Sequence, residues 1–171
     1  MKEVTVIIDG EEYVARPKNE PVAEEKPKTG YERVENGEMY FTPNKYGECE
    51  DYAEDENPYD KKIYDAANYY NERTIAENIV RADTLMRRLR QWQALNDEPV
   101  SWGDKNSPKW EIEYDYDEKN FDIDYYNEYR YLGQIYFSSV EKAREAIEVF
   151  KDELTWYFTE YQQRLDEPKR N

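Results

Sequence analysis

The feature that most restricts the fold is an internal repeat. Shifting the chain by 67 residues lays Tyr64 on Tyr131, Ala66 on Gly133, Tyr69-Tyr70 on Tyr136-Phe137, Asn71 on Ser138 and Ala76 on Ala143. The second copy is easier to read. Trp110, Ile112, Tyr114 and Tyr116 alternate with Glu111, Glu113, Asp115 and Asp117, a period of two that predicts a half-buried antiparallel strand with apolar side chains on one face and carboxylates on the other. A turn at Asp117 to Asn120 leads into a second alternating run, Phe121-Asp122-Ile123-Asp124-Tyr125, and Gln134-Ile135-Tyr136-Phe137 predicts a third strand. The period then changes. Ser138 and Glu141 form a capping-box pattern, and Val140, Ala143, Ile147, Phe150, Leu154, Tyr157 and Tyr161 recur at helical spacing. The first copy, from Tyr31 to Leu95, has weaker strands but a clear helix with Ile75, Ile79, Ala82, Leu85, Met86, Leu89 and Trp92 on one face.

Ahead of the repeat, Val4-Thr5-Val6-Ile7-Ile8 and Glu11-Glu12-Tyr13-Val14-Ala15 flank Asp9-Gly10, a pairing that predicts a β-hairpin because a type I′ turn needs positive φ at both central residues. Pairing Ile8 with Glu11 sets its register. A two-stranded hairpin is marginal alone, so it is expected to dock on the body or on another chain. The fold class is therefore α+β: two antiparallel meander-plus-long-helix units preceded by an N-terminal hairpin. The expected segments are the hairpin at 1–20, a Pro-rich linker at 21–30, the first unit at 31–98, a turn-rich connection at 99–109 and the second unit at 110–171.

Composition supports folding by an unusual route. Leu, Ile, Val and Phe number only 29 of 171 residues, and the net charge of −16 would ordinarily mark a disordered chain. The 18 Tyr and 4 Trp reverse that expectation, since each buries a large ring while keeping a polar handle. There is no His, which removes His-based triads and most catalytic zinc sites. The single Cys49 cannot form an internal disulfide, and its acidic neighbours raise rather than lower its pKa. No stretch resembles a signal-peptide core or a membrane span. The expectation is a cytoplasmic protein with no cofactor and no enzymatic activity.

The acidic runs carry the functional expectation. Side chains at i and i+2 on one strand face stand roughly 6.6 Å apart, which is of the order of the phosphate spacing along a nucleic-acid strand. Glu111, Glu113, Asp115 and Asp117, with Asp122 and Asp124 on the adjacent strand, are the candidate partner-binding carboxylates. A second run contributes Glu50, Asp51, Glu54, Asp55 and Glu56 and reads by composition as a solvated loop. Like charges held in register repel, a cost tolerated where a partner's Lys and Arg relieve it. The alternative is a solvated face that serves solubility. A calcium loop starting at Asp115 fails, because positions 5, 6 and 12 are Lys119, Asn120 and Tyr126, so no metal site is expected. The arginines Arg81, Arg87, Arg88 and Arg90 are expected to pair with the chain's own acids.

Two stretches carry a resemblance. One is Gly30 to Leu95, with Met39-Tyr40-Phe41, Gly47 and Asn68-Tyr69-Tyr70. The other is Trp110 to Tyr157, with Gln134 to Ser139 leading into Glu141 to Ile147. Together they resemble small acidic accessory proteins of phages and prophages of Gram-positive bacteria. Such proteins include inhibitors of host defence, among them anti-CRISPR proteins that occupy a nuclease's nucleic-acid channel. The resemblance implies a DNA-mimicking inhibitor of a basic host defence protein, with no direct contact to nucleic acid or membrane and no catalytic residue to carry over. The rival expectation is an interaction module that forms homo- or hetero-oligomers through its aromatic faces and hairpin.

Overall fold

The computed structural model describes residues 4–15 and 28–169 and has the α+β class expected. The linker expected at 21–30 lies outside the described residues up to position 27. The hairpin pairs β1 (Val4–Ile8) with β2 (Glu11–Ala15), Ile8 opposite Glu11, and its turn has φ of 52° at Asp9 and 87° at Gly10. Both central residues are thus left-handed, as a type I′ turn demands. Among the described residues no other element lies extensively against the hairpin, and Ile7 and Tyr13 are exposed.

The first unit contains β3 (Met39–Pro43), β4 (Cys49–Ala53), α1 (Pro58–Asp65) and α2 (Arg73–Asn96). The second contains β5 (Lys109–Asp115), β6 (Asn120–Tyr126) and α3 (Val140–Thr159). In each unit the strands form an antiparallel hairpin, and the aromatic pair before the long helix adds a single bridging residue. Phe41 bridges Tyr70, and Trp110 bridges Phe137. The third strand expected at Gln134 to Phe137 is therefore reduced to the single bridge at Phe137, and the first unit has the same single bridge at Tyr70.

Three local expectations need correction. Ser138 does not cap α3. Ser139 does, accepting a hydrogen bond from Lys142 N, while Ser138 N and Oγ both donate to the Asp97 carboxylate. Nor does Asn71 cap α2, whose N-cap is Glu72 with no side-chain hydrogen bond; Asn71 instead donates to Glu32. The acidic run is not a loop throughout either. Its first half is β4, and after it Asn57 accepts from Tyr59 N and Asp60 N to start α1, with Pro58 in the first turn. An Asn-Pro pair is a helix-start signal in its own right.

Helix α2 joins the units. Its N-terminal half buries Ile75, Ala76 and Ile79 with Tyr70, against Phe41 and Tyr31. Its C-terminal half buries Leu85 and Leu89 with Phe137, Ala143, Ala146, Ile147, Phe150 and Leu154, onto which Trp110, Ile112, Phe121 and Ile123 of the second hairpin pack. Arg81 reaches across to α3, ion-paired with Glu153 at 2.9 Å and lying 3.9 Å from the Trp156 ring centroid. Among the described residues no helix is long and apolar enough to cross a membrane.

Candidate functional site

The register of β5 and β6 sets Glu111 opposite Asp124, Glu113 opposite Asp122 and Lys109 opposite Tyr126. Directly opposed residues share a face with Cβ atoms about 5 Å apart. Glu113, Asp115, Asp122 and Asp124 therefore form a two-column carboxylate surface. The other face, carrying Trp110, Ile112, Tyr114, Phe121 and Ile123, packs toward α3, with Tyr114 stacked on Phe158 at 5.6 Å. Asp122 and Asp124 each accept from the next residue's N–H and remain exposed. Among the described residues no Lys or Arg forms an ion pair with any of these four carboxylates.

Two of the expected residues leave this surface. Asp117 lies in the turn beyond β5, where its N–H donates to Asp115 Oδ1, so it continues the acidic edge without belonging to the paired columns. Glu111 is buried, only 2% exposed, and its Oε2 has no hydrogen-bond partner among the described residues. The cause is the segment after β6, which folds back over this end of the hairpin. Lys109 Nζ, fully buried, donates to Asp104 O, Ser107 O and Asn127 O, and Tyr131 N donates to Tyr136 Oη while Tyr126 and Tyr131 pack edge to face. Burial pushes the Glu111 carboxyl up. A hydrogen bond from Gln134 eases this, and the neighbouring Glu113 and Asp124 add to it. Lys109 stands two residues away on the same face, but its ammonium is committed to carbonyls.

The first unit disperses its acids. Asp51 is ion-paired with Arg73 at 2.7 Å. Glu50 accepts from Asn44 Nδ2 at 2.9 Å and Tyr52 Oη at 2.8 Å. Glu54 is fully buried. It receives Arg33 Nε and Nη2, both at 2.8 Å, Tyr69 Oη at 2.9 Å and Glu56 N at 2.7 Å. The Arg33 fork holds its carboxyl at about 2, against the ordinary 4.5, despite burial. Asp55 and Glu56 are exposed beside it. Glu54 is thus a structural anchor and drops out of the contact set.

Residues that the alternation did not single out complete these arrangements: Arg33, Lys109, Gln134 and Tyr136. Only Lys109 had a local signal, as the lone base in register with the acidic face; the others are brought in from distant sequence. The Cys49 thiol is pushed up by burial and by Glu77. Among the described residues no group of three or more acids or Cys is arranged to hold a metal ion. No protein-family model matches the sequence, and no curated protein or solved structure is significantly similar to it.

Proposed function

We propose that this chain is a non-enzymatic inhibitor of a basic, nucleic-acid-handling defence protein in the host cytoplasm, acting as anti-CRISPR proteins do, with the β5–β6 carboxylate face standing in for phosphates. One observation carries the reading: Glu113, Asp115, Asp122 and Asp124 are held in two adjacent columns with no ion pair to a Lys or Arg among the described residues, although the same chain neutralises Asp51, Glu54 and Glu153 with its own arginines. A surface that keeps like charges in register loses stability unless a partner relieves it. Its rigidity also suits the role, because the apolar side of the hairpin is packed toward α3 and binding need not order it.

The test is displacement of a labelled target duplex from a purified, guide-loaded CRISPR nuclease. The chain is expected to compete, and to lose affinity several-fold between about 50 and 500 mM salt as screening shortens. The variant Glu113→Gln/Asp115→Asn/Asp122→Asn/Asp124→Asn should keep the fold and lose competition. If that variant competes as well as the parent, the face serves only solubility.

A second reading has its own observation. Among the described residues the N-terminal hairpin has unpaired edges, exposes Ile7 and Tyr13, and makes no extended contact with another element. An assembly role through strand addition predicts that deleting residues 1–20 changes the mass seen by light scattering while the body stays folded.

A further inference from the structure

The chain holds its own arginines in a recurrent way. On one face of the first hairpin, Phe41 and Asp51 are register partners, and Arg73 lies over the Phe41 ring at 4.8 Å while pairing with Asp51 at 2.7 Å. On α3, Trp156 and Glu153 hold Arg81 in the same manner. In both cases a ring takes the guanidinium face and a carboxylate takes its N–H groups, a combination that suits the planar, weakly hydrated guanidinium better than a compact ammonium.

The opposite face of the β3–β4 hairpin presents the same two components to solvent. Glu50 and Tyr52 stand two residues apart on it, beside Tyr40 and Thr42, and Tyr59 of α1 packs edge to face on Tyr52 at 6.3 Å. Glu50, Tyr52 and Tyr59, with Lys45, Tyr46 and Asn68, line a groove of about 370 Å³. Tyr59 is 58% and Tyr46 75% exposed, far more than rings needed for the core. The Glu50 carboxylate is oriented by Asn44 and Tyr52, and these hydrogen bonds favour its ionised form. One ring of the groove already attracts a cation, since Lys45 Nζ lies 4.9 Å from the Tyr46 centroid. Among the described residues no arginine lies over Tyr52 or Tyr59.

We propose that this groove is a receptor for an arginine side chain of a basic protein segment, with the guanidinium stacked on the Tyr52–Tyr59 wall and paired to Glu50. It shares with the function proposed above only the basic character of the partner, and it lies in the other unit. The site reads the shape of the cation, whereas the β5–β6 face reads charge alone.

The experiment titrates the full chain with hexa-arginine and hexa-lysine peptides at about 150 mM salt, where exposed long-range attraction is largely screened, following tyrosine ring resonances and binding heat. Hexa-arginine should bind about three- to five-fold more tightly, the range of an exposed cation–π contact. Glu50→Gln and Tyr59→Ala should each remove that preference, and Tyr59→Phe, which keeps the ring, should retain it. Glu50 is exposed, so its variant stays folded and decides the matter even if Tyr59→Ala perturbs α1. Neutralising Glu113, Asp122 and Asp124 should weaken both peptides alike and leave the preference intact. Equal affinity for the two peptides, or a preference that survives Glu50→Gln, overturns the proposal. The nuclease-displacement result stands or falls separately.

Discussion

Each strand–helix unit buries one glutamate that the sequence places at the surface, Glu111 by alternation and Glu54 by the composition of its run, and the two units treat that carboxylate in opposite ways. Glu54 sits at the centre of a completed network of Arg33, Tyr69 and Glu56 N–H. Glu111 sits under the Tyr131–Tyr136 segment with an unpartnered oxygen and with Glu113 and Asp124 as charged neighbours. Equivalent tyrosines, Tyr69 and Tyr136, are buried beside both. The difference is the arginine. The first unit brings one in from the segment before β3, whereas the base nearest Glu111, Lys109, closes loops instead. A repeat therefore conserves shape more readily than it conserves the balance of charge inside the shape.

The largest expected effect comes from breaking the satisfied network. Glu54→Leu leaves the Arg33 guanidinium and the Tyr69 hydroxyl without their acceptor and should cost about 3 kcal/mol, lowering the melting temperature on the order of 8 °C. A loss below about 1 kcal/mol in chemical denaturation would show that the network stabilises little. Glu111→Gln should act the other way. It removes an unpaired buried charge while keeping size and one carbonyl acceptor, so stability at pH 7 should rise by about 1 kcal/mol. A fall would mean that the ionised form has a compensating partner.

The pH dependence separates the two carboxyls by sign. Glu54 has its folded-state pKa depressed to about 2 from 4.5, so its stabilisation is complete above 4.5 and is lost as the pH falls toward 2. Glu111 has its folded-state pKa raised above 4.5, so the folded state binds the extra proton and stability declines as the pH rises through 4.5 toward the raised value. Urea denaturation across pH 2 to 8 should therefore give a rise followed by a decline. Glu54→Gln should flatten the acid limb, and Glu111→Gln the decline above it. If Glu111→Gln leaves the limb above 4.5 unchanged, another group controls that side.

The smallest expected effects concern the helix starts. Ser139→Ala removes the α3 cap and should cost about 1 kcal/mol, whereas Glu72→Ser installs a cap that α2 lacks and should gain about 0.5 kcal/mol. Thermal melts of the pair would sharpen the comparison, since equal and negligible shifts would show that both starts are held by packing rather than by caps.

Much of the secondary structure was legible because it is written locally. Asp9-Gly10 specified its turn, the alternation at 110–117 specified a strand, and the apolar periods specified two long helices. The acidic face was legible in part. Glu113, Asp115, Asp122 and Asp124 follow from period two, but Glu111 obeys the same alternation and is buried all the same. Alternation assigns a face without saying what else will cover it, and the cover is a segment some twenty residues away. α1 was missed because the charge of residues 48–60 outweighed the Asn57-Pro58 start signal. The α3 cap lies one residue later than expected because Ser138 and Ser139 are both competent and Asp97 takes the hydrogen bonds of Ser138.

By itself the sequence determined the α+β class, the repeat, the hairpin register and the large negative charge, since each depends on neighbours within a few residues and on side-chain periodicity. The tertiary structure alone decided which carboxylates remain available to a partner. That choice depends on which arginine, lysine or carbonyl reaches a given position when distant segments close over the hairpins, and the cost of an unpaired buried charge is set by that local environment rather than by residue type.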